Sequence, residues 1–333
     1  MKKKILLLVP NDYKLYSLIE RNLQEIGFEV TVILHDSIKF RYKNIWQRLY
    51  KTFRKLYDGN NEYKRKLVLN YNAVQLTKKI EEFETFDYCL VLRADFFHED
   101  VLMAAKRKSK SIISYHYDGL KRNPIVFQLI PIFDRFYVFD ENDVIKTNEI
   151  QTFLSHNFYF DFEEHKKELV YDAYFLGYYS ESREYFLLSL FDMLNKIYKR
   201  VKFQIVFPPE QLKHIKRYEE RGIECLKKVV AFEEYLGRIE QSKLIVDFLI
   251  GEHTGLSFRI FEGLKYAKKV ITTNQNVVKY DFYNPNNFYV LDEVSLNEKR
   301  LVEFLDLPYI QINETIRKKY SFSSWFAKII QPS

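Results

Sequence analysis

The chain has 333 residues, of which 47% are hydrophobic and 29% charged, with a net charge of +7. That balance excludes a disordered protein and suits two globular domains, each long enough to bury its own core. No apolar run approaches the ~18 residues that cross a bilayer, and the two cysteines, Cys89 and Cys225, exclude a disulfide framework and read as free thiols of a reduced, cytoplasmic protein.

The opening Met1-Lys-Lys-Lys-Ile-Leu-Leu-Leu-Val-Pro10 starts like a secretory leader. Its apolar core is too short for one, so 5–9 is expected to be the first strand of an α/β domain. Helices are predicted at 16–26, 42–57, 63–83 and 101–108, and strands at 29–34, 88–92, 111–115 and 135–139. This alternation is what a parallel sheet with helical crossovers requires. The aromatic and acidic stretch 157–169 is taken as the domain junction. Beyond it the pattern restarts, with strands at 173–176, 203–207, 229–232, 244–250 and 269–273. Helices are predicted at 182–199, 210–221, 233–241 and 297–304, and a last helix at Phe322–Ile330 with Phe322, Trp325 and Ile329 on one side. The expected domains are therefore 1–160 and 170–320, followed by a terminal helix within 321–333.

Charge is concentrated in one place. Between Lys39 and Lys66 ten lysines and arginines face two acids, a local surplus of eight that exceeds the +7 of the whole chain. Ile45, Trp46, Leu49, Tyr50, Phe53, Leu56 and Tyr57 recur there at helical spacing, with Arg48, Lys51, Arg54 and Lys55 opposite. A basic helix with a Trp/Tyr/Phe stripe suits an anionic membrane surface. The same pattern also fits a helix packed on the sheet with a solvated basic face. Interleaved cations and rings suit single-stranded nucleic acid as well, but no nucleic-acid-binding module is recognisable, which argues against that partner.

Four loops follow predicted strands and should open toward a ligand. Pro10-Asn-Asp-Tyr13 lacks the Gly-x-Gly-x-x-Gly fingerprint, so the first domain is expected to hold an acceptor and not a dinucleotide. Arg93-Ala-Asp95 is the second. Tyr115-His-Tyr-Asp-Gly119 offers His116 or Asp118 as a general base or orienting group, alongside a purely structural role. In Gly177-Tyr-Tyr-Ser-Glu-Ser-Arg183, Ser180 or Ser182 would cap the following helix and Arg183 would reach a phosphate. The seven histidines fall in no ligand spacing and no Asp-x-Asp is present, so no metal or other cofactor is expected.

The most informative segment begins after the apolar run Leu244-Ile-Val-Asp-Phe-Leu-Ile250. Gly255-Leu-Ser-Phe-Arg-Ile-Phe-Glu-Gly-Leu264 and then Lys268-Lys-Val-Ile-Thr-Thr-Asn274 read as a β-loop-α-β unit. Ile260, Phe261, Leu264 and Ala267 would face the core, and Arg259, Glu262 and Tyr266 the opposite side. A helix amino terminus with free N–H groups is a natural place for phosphate. This segment resembles the donor site of GT-B glycosyltransferases, especially bacterial lipopolysaccharide-core and capsular-polysaccharide transferases, whose motif runs Gly-Leu-x-x-Arg-x-x-Glu-Ala-Leu and then Lys-Lys-x-Ile-Thr-Thr-Asn. The resemblance covers about twenty residues. In the wider family two glutamates lie seven positions apart; here Glu252 and Glu262 are ten apart, and only Glu262 maps.

The resemblance implies two Rossmann-like domains facing each other across a cleft, with a last helix that crosses back to the first. It implies a nucleotide-sugar donor in the second domain and a lipid-linked glycan acceptor at the first, at the inner face of a bacterial membrane. Thr254, Gly255, Leu256, Ser257 and Arg259 would lie near the diphosphate, together with Gly177, Ser180, Arg183 and Lys265. Glu262 would lie near ribose or sugar, and leaving-group charge would be met without metal. A sugar-nucleotide epimerase or phosphorylase-like enzyme of the same architecture, and a non-catalytic basic scaffold, are the other functions compatible with the chain.

Overall fold

The computed structural model describes residues 2–38, 40–58, 62–162, 167–251 and 253–331, without the side chains of 54–58, 62 and 64–66. Glu252, Lys39 and the side chains of Arg54 and Lys55 therefore lie outside the description. The chain divides into two compact units. The first comprises Met1–Asp12, Ile19–Val138 and Asp143–Leu154; the second Tyr13–Leu18, Phe139–Asn142 and Ser155–Ser333.

The first stretch of chain runs β1 (Lys4–Val9), α1 (Leu15–Glu25), β2 (Glu29–Leu34), α2 (Ile45–Asp58), α3 (Glu62–Glu81), β3 (Tyr88–Leu92), α4 (Glu99–Arg107), β4 (Ile112–His116), α5 (Val126–Leu129), β5 (Arg135–Val138) and β6 (Phe153–Leu154). Its six strands are all parallel, in the order β2-β1-β3-β4-β5-β6. Ile5, Leu6, Leu7 and Leu8 are wholly buried. A central parallel strand is covered on both faces, so its sequence is continuously apolar and does not alternate.

The second stretch runs β7 (Tyr171–Tyr178), α6 (Glu184–Ile197), β8 (Val201–Val206), α7 (Ile215–Glu219), β9 (Glu224–Leu226), α8 (Phe232–Glu240), β10 (Ser242–Asp247), α9 (Phe258–Lys265), β11 (Lys269–Thr272), β12 (Phe288–Val290), α10 (Glu298–Asp306), α11 (Glu314–Lys318) and α12 (Phe322–Ile330). It again forms six parallel strands, ordered β12-β11-β10-β7-β8-β9. Ser321 caps α12 by accepting from the Ser324 N–H. The helix seats Trp325 against Phe158, ring centres 4.3 Å apart, and Phe322 against Phe158 and Phe160. These partners all belong to the second unit.

Three sequence readings change. The strand expected at 229–232 lies instead at Glu224–Leu226, paired with β8 through Gln204–Glu224 and Ile205–Cys225. Val229 is an exposed apolar residue on the approach to α8, so its hydrophobicity carried no strand signal. The helix expected at 210–221 is a 3-10 turn over Pro209–His214 followed by the short α7. Ala267 is not on α9: it adopts a left-handed conformation, φ 49°, and stops the helix before β11.

Candidate functional site

The carboxyl edge of the second sheet gathers the segments that the sequence had singled out. β7, β10 and β11 are neighbours, so the residues at their ends converge: Gly177, Asp247 and Thr272. Asp247 is buried and organises the group. Its Oδ1 accepts from the Ser257 hydroxyl at 2.7 Å and from Arg259 Nη1 at 3.3 Å, and its Oδ2 accepts from the Thr272 hydroxyl at 2.9 Å. Because Ser257 gives its hydroxyl to Asp247, it does not cap α9, and the first-turn N–H groups of that helix have no side-chain cap.

The loop before α9 is held from several sides. Asp140 accepts from the Thr254 N–H at 2.6 Å, from the Thr254 hydroxyl and from the Gly255 N–H at 3.4 Å. Asn274 donates to the carbonyls of Thr254 and Gly255, and Asn157 to that of Leu256 at 2.8 Å. A Cβ on Gly255 would lie 2.5 Å from the Phe139 carbonyl oxygen, so only glycine fits there. The motif's alanine is Gly263 here for a similar reason: a Cβ at that position would meet the Val270 side chain.

Two guanidiniums share one aromatic ring. Arg183 and Arg259 stack over Phe175 with centres 5.3 and 5.5 Å from the ring. Arg259 donates to Asp247 and to the Leu176 carbonyl. Arg183 is only 2% exposed, and none of its three guanidinium nitrogens has a hydrogen-bond partner. Burial, then the neighbouring charge of Arg259, pushes its pKa down to about 9, so it still carries its charge at neutral pH. A Cβ on Gly177 would lie 2.9 Å from Arg183 Nη2, which explains the glycine at that point. Buried charges are ordinarily paired; Arg259 has Asp247 as its counter-charge, and the Arg183 guanidinium has no hydrogen-bond partner.

Glu262 is not on a solvent face as its position in the helical pattern suggested. It is 2% exposed, because α9 packs that side against α8, and its Oε2 accepts from the Tyr235 hydroxyl at 2.5 Å. Its Oε1 has no partner. Burial lifts its pKa to about 7, against the opposing pull of the Tyr235 hydrogen bond and of Arg259. Lys265 is also buried, and its ammonium donates to the Phe162 carbonyl at 2.9 Å. Ser180 and Ser182 bond to each other at 2.9 Å instead of capping the next helix.

In the first unit the ends of β1, β3 and β4 carry a second polar cluster. Arg93, held at φ 57°, binds both oxygens of Asp95 at 2.9 Å and Asp118 Oδ2 at 2.8 Å. Asp118 also takes Arg122 at 2.9 and 3.0 Å. His116 is buried, stacked on Phe136, with Nδ1 3.8 Å from Asp95. Asp12 has its carboxyl raised by burial, which outweighs the pull of Arg93 and His35. Among the described residues no group of three His, Cys, Asp or Glu side chains is placed to hold a metal ion.

Asp140, Tyr235 and Phe175 were not singled out from sequence, whereas Arg93 and Asp95 lie in the second of the loops expected to face a ligand. Asp247 offered a readable signal, an acid inside an apolar run. For Arg93 the position after a strand was legible, but its left-handed backbone was not.

No protein-family profile matches the sequence, and no curated protein matches it at a significant level. Solved structures do resemble it over its whole length. An alpha-glucosyltransferase in complex with UDP and a 13-mer DNA superposes with a TM-score of 0.57 at 11% identity, covering 99% of this chain and 100% of that one. A glycosyltransferase from Rickettsia africae gives 0.52 at 13%, covering 98% and 96%. The lipopolysaccharide outer core galactosyltransferase WaaB gives 0.50 at 13%, covering 97% of each. The two parallel six-stranded sheets and these superpositions together give the chain the GT-B fold.

Proposed function

We propose that this protein is a metal-independent glycosyltransferase that moves a sugar from a nucleoside-diphosphate sugar to a lipopolysaccharide or capsular glycan. The observation that carries the reading is Arg183: a buried guanidinium with no hydrogen bond, beside Arg259 and near the uncapped start of α9. Arg183, Arg259 and the α9 N–H groups take the diphosphate and stabilise its charge as the sugar leaves. The fixed loop from Thr254 to Ser257 holds those N–H groups in place. Gly177 gives Arg183 room, and Ser180 lies on the loop after β7; Lys265, at the far end of α9 and bonded to the Phe162 carbonyl, stands apart from this group. The unpartnered oxygen of Glu262 accepts a ribose or sugar hydroxyl.

The first unit serves the acceptor. His116 is buried and Asp118 is engaged by two guanidiniums, which suits orienting roles better than proton removal. An acceptor carried on a lipid puts the protein at the inner face of a membrane, as a peripheral protein. Among the described residues no helix is long and apolar enough to cross one.

A thermal-shift panel of UDP, GDP, ADP and CMP tests the donor class. A ligand at 100-fold over its dissociation constant stabilises by about 2.7 kcal/mol. UDP is the first ligand to try, because the structurally similar alpha-glucosyltransferase binds it. Arg259→Ala and Glu262→Ala should abolish donor-dependent transfer in a folded protein. Near-wild-type transfer in both would sink the site assignment, and product formed without an acceptor would indicate an epimerase instead.

A further inference from the structure

We infer that α2 is an interfacial anchor that lays its apolar stripe into an anionic bilayer. Ile45, Trp46, Leu49, Tyr50 and Phe53 are between 48% and 73% exposed. Large apolar side chains contiguous on one helical face and open to solvent mark an interaction surface. Two other amphipathic helices turn their stripes inward: α4 buries Val101, Leu102, Ala104 and Ala105, and α12 buries Phe322, Trp325, Phe326 and Ile329. On α2 the apolar residues instead face out.

Charge decides the occupant. Arg48 is exposed, and the chain around α2 carries the surplus of eight positive charges. An apolar stripe bordered by cations fits a surface that offers hydrocarbon and negative headgroups together, and a bilayer of anionic lipid is that surface. Length fixes the mode of binding. The 14 residues of α2 extend about 21 Å, shorter than the ~30 Å hydrocarbon core, so the helix lies in the interface and does not span it. Trp46 and Tyr50 supply rings whose polar edges suit the headgroup level.

This deepens the reading above by naming the surface that meets the membrane, and it rests on that reading only for the purpose of docking, access to a lipid-linked acceptor. The test is co-sedimentation of the full chain with phosphatidylcholine vesicles, with and without about a third phosphatidylglycerol. Wild-type protein should pellet with the anionic vesicles and lose binding as salt is raised. Trp46→Ser with Leu49→Ser should weaken binding about tenfold or more. Arg48→Ser with Lys51→Ser should weaken it about 25-fold, since each near-surface cation contributes about fivefold. Trp46, Arg48 and Leu49 are exposed and Lys51 is half-buried, so these substitutions leave the core intact, and unchanged melting of the free variants confirms it.

The inference is overturned if wild-type protein ignores both vesicles, or if both double variants bind as well as wild type. It is equally overturned if vesicles are ignored while the serine variants turn a dimer into a monomer, or abolish salt-dependent oligonucleotide binding. A wild type that docks on vesicles but shifts with no nucleoside diphosphate would sink the donor reading and leave the anchor standing.

Discussion

Arg183→Met separates stability from function at a single side chain. In the folded protein the guanidinium is 2% exposed, has no hydrogen bond and faces Arg259. Its pKa falls well below the ordinary arginine range, to about 9, a penalty on the charged form of about 5 kcal/mol at 1.36 kcal/mol per unit. A depressed pKa on a base means the penalty is fully present below pH 9 and fades as pH rises toward the ordinary arginine value, so at neutral pH it acts in full. Methionine keeps most of the volume against Phe175 and loses a cation–π contact of about 1–2 kcal/mol. The unliganded variant should then be more stable by roughly 3 kcal/mol, or several degrees in melting temperature. UDP at 100-fold over its dissociation constant should raise the wild type by about 2.7 kcal/mol and leave the variant unmoved, so that the two liganded proteins melt close together. Differential scanning fluorimetry with and without UDP reads both effects. A variant that melts lower than wild type without ligand, or that keeps the full UDP shift, would refute the idea that Arg183 is an anion-binding group held at the expense of stability.

Glu262→Gln should flatten the pH dependence of stability. The folded-state pKa of about 7 lies above the ordinary 4.5, so the folded protein holds the proton and loses stability as pH rises between those values; that is worth roughly 3 kcal/mol. Urea unfolding at pH 5 and pH 8 checks it, and equal slopes in the two proteins would show that Glu262 is not the titrating group. Gly255→Ala drives a Cβ to 2.5 Å from the Phe139 carbonyl, and should cost about 1–3 kcal/mol and displace the loop. A variant with wild-type melting and wild-type nucleoside-diphosphate shift would show that the loop can yield.

Much of the architecture was legible in the amino-acid order because burial imposes periodicity. The runs at 5–9 and 88–92 are apolar throughout because both faces of a parallel strand are covered, and they became β1 and β3 almost residue for residue. Phe322–Ile330 showed a helical stripe and buried it. The strand at Glu224–Leu226 was missed because a three-residue edge strand is too short to show a period. Arg259, Glu262 and Arg183 were singled out from residue type and spacing near a strand end, and the fold brings Arg183 and Arg259 onto one ring.

What those side chains do to one another was decided only by the folded chain. Phe175, Arg183 and Arg259 lie on three separate segments, and only the sheet order, which sets β7 beside β10, stacks two guanidiniums on one ring. Glu262 has the helical phase of a surface residue, yet α8 covers it and Tyr235 binds it. Local pattern reports which face of an element is apolar. Whether a polar face meets water, a neighbouring helix or a second cation depends on contacts between residues far apart in the chain, and those set the pKa values and unpaired donors on which the chemistry rests.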